Sequence, residues 1–242
     1  NNVAGTYDDE VFDVFKENKG KKLQRYIKKH VLAHHEVVDL GCGIGKAFKY
    51  LAPVSKSVLA IDISDACLVE ARKNRFKNIH YQQADLTRPL SIKPVDFALC
   101  CNVAILPQPD QSYKIIQTVS RSLKKRGVAI VVVPSLESSL YASWRMIQWY
   151  KKEGVIPDDI PGEDLAYFDG AKTNWLQGIV SINDVQTKHY TAEELQVVFA
   201  DAGLKITALE KLEYKWTTEF ADPPAWIKAP FPWDWLIECE KR

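Results

Sequence analysis

The stretch Asp39-Leu40-Gly41-Cys42-Gly43-Ile44-Gly45 decides the fold. It ends a brief β-branched run, Val37-Val38-Asp39-Leu40, and leads into Lys46 to Ala52, where Phe48, Leu51 and Ala52 fall at helical spacing. A buried strand, a glycine turn and a helix are therefore expected in that order. Glycines at such a turn let the main chain double back tightly and let a ligand approach backbone atoms with no Cβ in the way. In an open sheet, the loop at the carboxyl end of the first strand is also where ligands bind. The spacing narrows the ligand. The dinucleotide fingerprint G-x-G-x-x-G requires glycine at position 46, and Lys46 stands there, so NAD and FAD are disfavoured.

Outward from this loop the chain alternates. Val58 to Asp62, Ile79 to Gln83, Val95 to Cys101 and Val128 to Val133 read as strands. Between them, a helix capped by Ser64 or Asp65 continues through Leu68 and Ala71, and a second helix spans Asp110 to Lys125 with Ile115, Ile116, Val119 and Leu123 on one side. Strict alternation of strand and helix predicts βαβ units and a parallel sheet covered by helices on both faces. Asp62 closes the second strand seventeen residues after Gly45, and Asp85 closes the third twenty-three residues later. A carboxylate offers acceptors only, so Asp62 can take both hydroxyl protons of a ribose, and Asp85 can accept from an exocyclic adenine amine. A single strand-terminal aspartate is more often a cap. A glycine loop and two carboxylates at one sheet edge together point to a nucleoside.

These three segments, Asp39 to Gly45, Ile61-Asp62-Ile63 and Ala84-Asp85-Leu86, resemble the class I S-adenosylmethionine-dependent methyltransferases over residues 36–135. Tyr190 to Leu195, continuing to Ala202-Gly203-Leu204, is similar to that family's last crossover helix before a closing hairpin. The resemblance implies an α/β, Rossmann-like, doubly wound and mostly parallel seven-stranded sheet whose last strand is antiparallel. It implies S-adenosylmethionine as cofactor, with Gly41, Gly43 and Gly45, and Cys42 between them, along its methionyl and ribose parts. It further implies that Asp62 holds the ribose hydroxyls, Ile63 packs on adenine and Asp85 with the Leu86 amide reads the polar edge of the base. Asp39 would order the loop near the cofactor's amino group, and Asn102 would bring its backbone close to the sulfonium. Two departures stand out. Lys125-Arg126-Gly127 replaces the family's Pro-Gly-Gly turn, and Cys101-Asn102-Val103-Ala104 stands where amino-methylating nucleic-acid enzymes carry Asn/Asp-Pro-Pro-aromatic. Asp222-Pro223-Pro224-Ala225-Trp226 imitates that motif in a terminal loop, where it reads as a decoy.

One domain is expected, in four parts: an N-terminal helical segment over 1–35, a cofactor-binding core over 36–135, an insertion over 136–188 that roofs the site, and a core helix with a terminal hairpin over 189–242. Residues 10 to 33 read as one amphipathic helix, with Lys21, Lys22, Arg25, Lys28 and Lys29 on a face that is either solvated or set against phosphates. All seven tryptophans lie at or beyond position 144. Tyr141, Trp144 and Trp175 are therefore candidates for an aromatic acceptor pocket, suited to an apolar molecule or to a cationic amine through cation–π attraction, although packing is the plainer use of any one ring. His189 is the candidate general base, with Tyr190 beside it; Tyr141 and Tyr167 are weaker candidates. No acidic cluster follows the fourth strand that would grip a polyamine.

Composition sets the outer bounds. The 242 residues are 46% hydrophobic and 26% charged, with 32 basic and 31 acidic side chains, so a whole-chain footprint for nucleic acid is absent. Five cysteines without a CxxC pair argue against a disulfide framework or a zinc site, and no metal is expected. The first ten residues are polar and acidic, which predicts no signal peptide, and the longest uncharged apolar stretch, Phe97 to Pro107, is far short of the ~20 residues of a membrane helix. A cytoplasmic location is expected. The leading functional reading is methyl transfer to a nitrogen or oxygen of a small-molecule acceptor. The alternatives are an RNA or protein methyltransferase and a non-catalytic protein that binds the nucleoside cofactor in a regulatory role.

Overall fold

Period-two alternation along the strands divides the core into two layers, one on each face of a single sheet. In a computed structural model that describes residues 12–161, 173–182 and 185–242, strand β1 (Glu36–Leu40) sends Val37 to one face and Val38 and Leu40 to the other. It pairs in parallel with β2 (Ser57–Asp62) and β4 (Val95–Cys101); β2 pairs with β3 (Ile79–Gln83) and β4 with β5 (Leu123–Pro134). The last strand, β9 (Trp233–Lys241), inserts antiparallel between β5 and β8 (Leu204–Glu213), giving the order β3-β2-β1-β4-β5-β9-β8. The expected seven-stranded sheet with its antiparallel last strand is present. Strand order reverses between β1 and β4, and that is the crevice in which open α/β sheets bind ligands.

Helices cover both faces because their apolar stripes match the strands beneath. On one side α1 (Val14–Glu17), α2 (Lys22–His30), α3 (Phe48–Leu51) and α4 (Asp65–Ala71) set Val14, Leu23, Ile27, Phe48 and Leu68 against Phe97, Leu99 and Ile130. On the other, α5 (Pro109–Ser122) and the later α7 (Ala192–Asp201) set Ile116, Val119, Leu195 and Phe199 against Ala98, Val131 and Val133. The Thr191 side chain accepts from the Glu194 amide and caps α7, as the sequence pattern predicts.

Three boundaries differ from the sequence reading. The single helix expected over 10–33 is broken: the Asn18 side chain donates to Val14 O at 2.7 Å and accepts from the Leu23 amide at 3.3 Å, while Gly20 and Lys21 take positive φ. The helix expected to reach Lys125 stops at Ser122, and β5 begins at Leu123 with its pairing interrupted before Val128. The segment after β5, without a pattern in sequence, contains the 17-residue α6 (Leu136–Lys152) and an antiparallel hairpin of β6 (Ile179–Ile182) and β7 (Val185–Lys188). The hairpin is tied down by Lys188, only 1% exposed, whose Nζ donates to Glu194 and to His189 O at 2.9 Å.

Candidate active site

The carboxyl ends of β1, β2, β3 and β4 converge on a cavity of about 310 Å³, large enough for a nucleoside. The loop after β1 forms its floor. Gly41 and Cys42 both donate their amides to Ile61 O, at 2.7 and 2.9 Å, which pins the loop to the end of β2. Gly41 holds φ +74°, and a Cβ there would strike the Val103 side chain, so only glycine lets the loop pass the segment after β4.

Asp62 organises the rim. One carboxylate oxygen accepts from the Gly43 amide at 2.8 Å and the other from the Ser64 amide at 2.9 Å, leaving further lone pairs on both for hydroxyl donors. Ile63, 66% exposed, lines the cavity with an apolar face that nothing in the protein covers fully. Asp85 accepts from the Thr87 amide at 2.9 Å and the Thr87 hydroxyl at 2.7 Å, and these bonds, aided by Arg88, hold its carboxyl below the usual range. Asp85 is thus ionised and limited to accepting. Leu86 lies beside it on the wall.

Asp39 is the anomaly. It is 3% exposed, lines the cavity, and its Oδ2 has no hydrogen-bond partner. Burial, reinforced by the negative charge of Asp62, pushes its pKa up to about 7. A buried carboxylate without a donor destabilises the site that holds it unless a cation or N–H donor arrives. Its folded pKa lies above the ordinary value of 3.8, so the folded protein holds the extra proton and loses stability as pH rises from about 4 through about 7. Denaturant titrations of Asp39→Asn are expected to show a shallower fall in stability across this window than the native protein; identical slopes would refute the assignment.

The structure thus brings Asp39, Gly41, Cys42, Asp62, Ile63, Asp85, Leu86 and Asn102 to one cavity, while Gly43 contacts it through Asp62 and Gly45 lies behind the loop, packed on Phe48. The acceptor and catalytic candidates do not join them. Tyr190 is fully buried, its hydroxyl donating to Ala104 O at 2.7 Å, and burial drives its pKa far above the ordinary phenol value, so it is a core residue. His189 is 4% exposed, its Nδ1 lies 2.9 Å from Ser139 Oγ, and burial lowers its pKa to about 4. Neither lines the cavity. Tyr141 stacks on Trp144 and meets Trp216 and Trp233 at a tilt, Trp144 is half exposed, and Trp175 lies in a short helical turn before β6. No tryptophan lines the cavity. Trp144, Trp216, Trp226 and Trp233 already meet the protein's own cations: Lys152 over Trp226 at 3.9 Å, Lys211 over Trp233 at 3.5 Å, and Arg145 among Trp144, Trp216 and Trp226. Tyr167 lies outside the described residues.

Four residues that sequence reasoning did not single out also line the cavity. Phe12, Asp13, Val14 and Phe15 line the cavity, with Phe15 stacked on Tyr50 and Phe12 set edge-on to Tyr214. The Phe12–Phe15 spacing was the available signal, hidden within what read as one amphipathic helix.

Comparison with known proteins agrees with this geometry. Residues 37–127 match the family described as "Methyltransferase domain". The 23S rRNA (uracil(1939)-C(5))-methyltransferase RlmD of Pseudomonas entomophila is 31% identical over 107 residues, which are 43% of this chain and 24% of that protein. The malonyl-[acyl-carrier protein] O-methyltransferase of Enterobacter lignolyticus is 29% identical over 113 residues, 46% of this chain and 44% of its own. The chain thus spans about a quarter and somewhat under half the length of these two relatives. A crystal structure of an S-adenosylmethionine-dependent methyltransferase from Methanosarcina mazei superposes with a TM-score of 0.64 at 19% identity, covering 89% of this chain and 96% of that one. Residues 37–127 are thus similar to a methyltransferase domain, and the fold is the one seen in S-adenosylmethionine-dependent methyltransferases. No helix among the described residues is long and apolar enough to cross a membrane.

Proposed function

We propose that the cavity binds S-adenosylmethionine and that the protein transfers its methyl group to a nitrogen or oxygen of a small-molecule acceptor. The observation that carries this reading is Asp39: a buried carboxyl with one unpartnered oxygen in a glycine-floored cavity whose other end holds two acceptor carboxylates. That donor set fits a molecule with a cationic methionyl end and a hydroxyl-bearing nucleoside end. Gly41 and Cys42 would cradle the methionyl part, Asp39 would face its ammonium, Asp62 would take the ribose hydroxyls, Ile63 would cover the base, and Asp85 would accept from its amine. S-adenosylmethionine supplies a methyl group on a positively charged sulfur, which leaves without needing a proton. The chain's own contribution is to hold the partners in line and exclude water beneath Phe12 and Phe15, and positioning of this kind is worth up to ~7–11 kcal/mol.

Titration calorimetry with S-adenosylmethionine, S-adenosylhomocysteine and NAD tests the cavity. The first two are expected to bind and NAD is not; the reverse order, or no heat from any of them, overturns the reading. Labelled methyl donor offered with metabolite pools then tests transfer.

A second reading, methyl transfer to RNA, has one observation in its favour: a hollow of about 350 Å³ beside the cavity is lined by Lys16, Lys21, Lys46 and Lys49. Against it, the basic face of α2 is partly spent on the protein itself, with Lys22 paired to Glu210 and Lys29 to Glu238. RNA affinity that falls steeply with added salt would favour this second reading.

A further inference from the structure

The loop after β4 forms one wall of the cavity with no regular structure of its own. Asn102, Val103 and Leu106 line the cavity, and a Cβ at Gly41 would stand 2.3 Å from Val103 Cγ2, so any shift of this loop is felt by the glycine floor. Three successive carbonyls of the loop accept from donors distant in sequence. The Tyr190 hydroxyl donates to Ala104 O at 2.7 Å, the Lys188 amide to Ile105 O at 2.9 Å, and the Ser112 hydroxyl to Leu106 O at 3.1 Å. The wall is thus set from outside, by the end of the β6–β7 hairpin, its junction with α7, and α5.

The donors are themselves held in place. The Tyr190 amide donates to Pro134 O at 2.9 Å, and its carbonyl accepts from the Leu136 amide at 3.0 Å and from Trp235 Nε1 at 3.1 Å. Lys188 Nζ donates to Glu194 at 2.8 Å, and Glu194 accepts at 2.7 Å from the hydroxyl of Tyr113, the neighbour of Ser112 on α5. We propose that Tyr190 is a positioning residue, whose hydroxyl holds loop 103–106 in the form that a bound cofactor requires. This rests on the reading of the cavity as an S-adenosylmethionine site. It gives Tyr190 a part in binding without contact with the ligand, and it ties the wall of the cavity to the insertion that follows β5.

Burial is what makes the hydroxyl matter. Tyr190, Ser112 and Ala104 are fully buried, so solvent does not replace a donor that is removed. A buried carbonyl without a donor is costly, and an irregular loop relieves that cost by swinging toward another donor or toward water. The folded protein then spends part of its time with the wall displaced. Measured affinity falls in proportion to the fraction of molecules in which the wall stays in place. A hydroxyl that served the core alone would change stability and leave affinity untouched, because a binding titration under native conditions reads only folded molecules.

Tyr190→Phe keeps the ring and deletes the hydroxyl. Calorimetry with S-adenosylhomocysteine is expected to show about a tenfold loss of affinity, the size of one lost hydrogen bond in the binding-competent state. Hydrogen exchange of the ligand-free variant should be faster across residues 102–107 than in the native protein. Asn78→Ala is the control for a purely structural loss. Its side chain donates to Ala52 O at 2.8 Å and Ser55 O at 3.1 Å, near the ends of the strands opposite the cavity. That variant should have a lower Tm and an affinity within about twofold of native. A folded Tyr190→Phe that keeps native affinity, or whose loop exchanges at the native rate, overturns the proposal. So does an equal loss of affinity in Asn78→Ala, which would mark a general loosening. If Tyr190→Phe does not fold, Ser112→Ala, which removes the donor to Leu106 O, decides by the same measurements. A native protein that binds neither S-adenosylmethionine nor S-adenosylhomocysteine would instead sink the cavity reading, and the positioning role with it.

Discussion

Asp62→Ala is expected to weaken S-adenosylmethionine binding by ~100-fold or more in titration calorimetry, since hydrogen bonds to charged groups are worth roughly 1.5–3 kcal/mol each. The substitution acts twice. It removes the acceptors offered to the ribose, and it also frees the Gly43 and Ser64 amides, at 2.8 and 2.9 Å, that tie the glycine loop to the start of α4. Asp62→Asn keeps one acceptor oxygen and should fall between the two proteins. A folded alanine variant with affinity within about threefold of native would remove Asp62 from the site.

The second large effect is on stability. Gly45 holds φ +86°, and a Cβ at this position would run into the Phe48 ring, which is fully buried and packed against Tyr81. Left-handed backbone costs roughly 1–2 kcal/mol for other residues, and overpacking a closed core adds about 1–3 kcal/mol. Gly45→Ala should therefore lose about 2–5 kcal/mol in denaturant unfolding, or a Tm decrease of roughly 5–15 °C at this chain length. Gly154 is the internal control: it has nearly the same φ, +85°, but open space around it, so Gly154→Ala should lose only the backbone part. Equal losses at the two sites would show that Phe48 yields, and that the glycine loop is less rigid than its packing indicates.

The cavity formed at the strand ends was legible because its parts are local. A strand end followed by a turn fixes where Gly41, Asp62 and Asp85 lie, and parallel pairing of β1, β2 and β3 brings those ends to one rim without long-range information. Long-range placement was not legible for the opposite reason. Asp234 comes to the end of β5 only because β9 inserts antiparallel beside it, setting Asp234 opposite Pro134, a register that no local pattern encodes. The N-terminal wall of the cavity was hidden for a subtler cause. Residues 10 to 33 carry one apolar stripe, but the Asn18 side chain and Gly20 break the helix, so that Phe12 and Phe15 turn over the cavity while Leu23 and Ile27 stay in the core.

The aromatic candidates Tyr141, Trp144 and Trp175 lie outside the lining of the cavity. Tryptophan composition says nothing of which cations will meet the rings, and here Arg145, Lys152 and Lys211 come from elements that pack beside them. His189 shows the same limit: its isolation in sequence made it a base candidate, whereas its contact with Ser139 makes it a strut between α6 and the β6–β7 hairpin.

That segregation of indoles has a spectroscopic consequence. Trp216 stacks on Phe220 and Trp149 meets the same ring edge-on, while the cavity itself is walled without tryptophan. Ultraviolet emission from this protein is therefore a built-in reporter on the integrity of its C-terminal half, with chromophores that stand apart from that cavity.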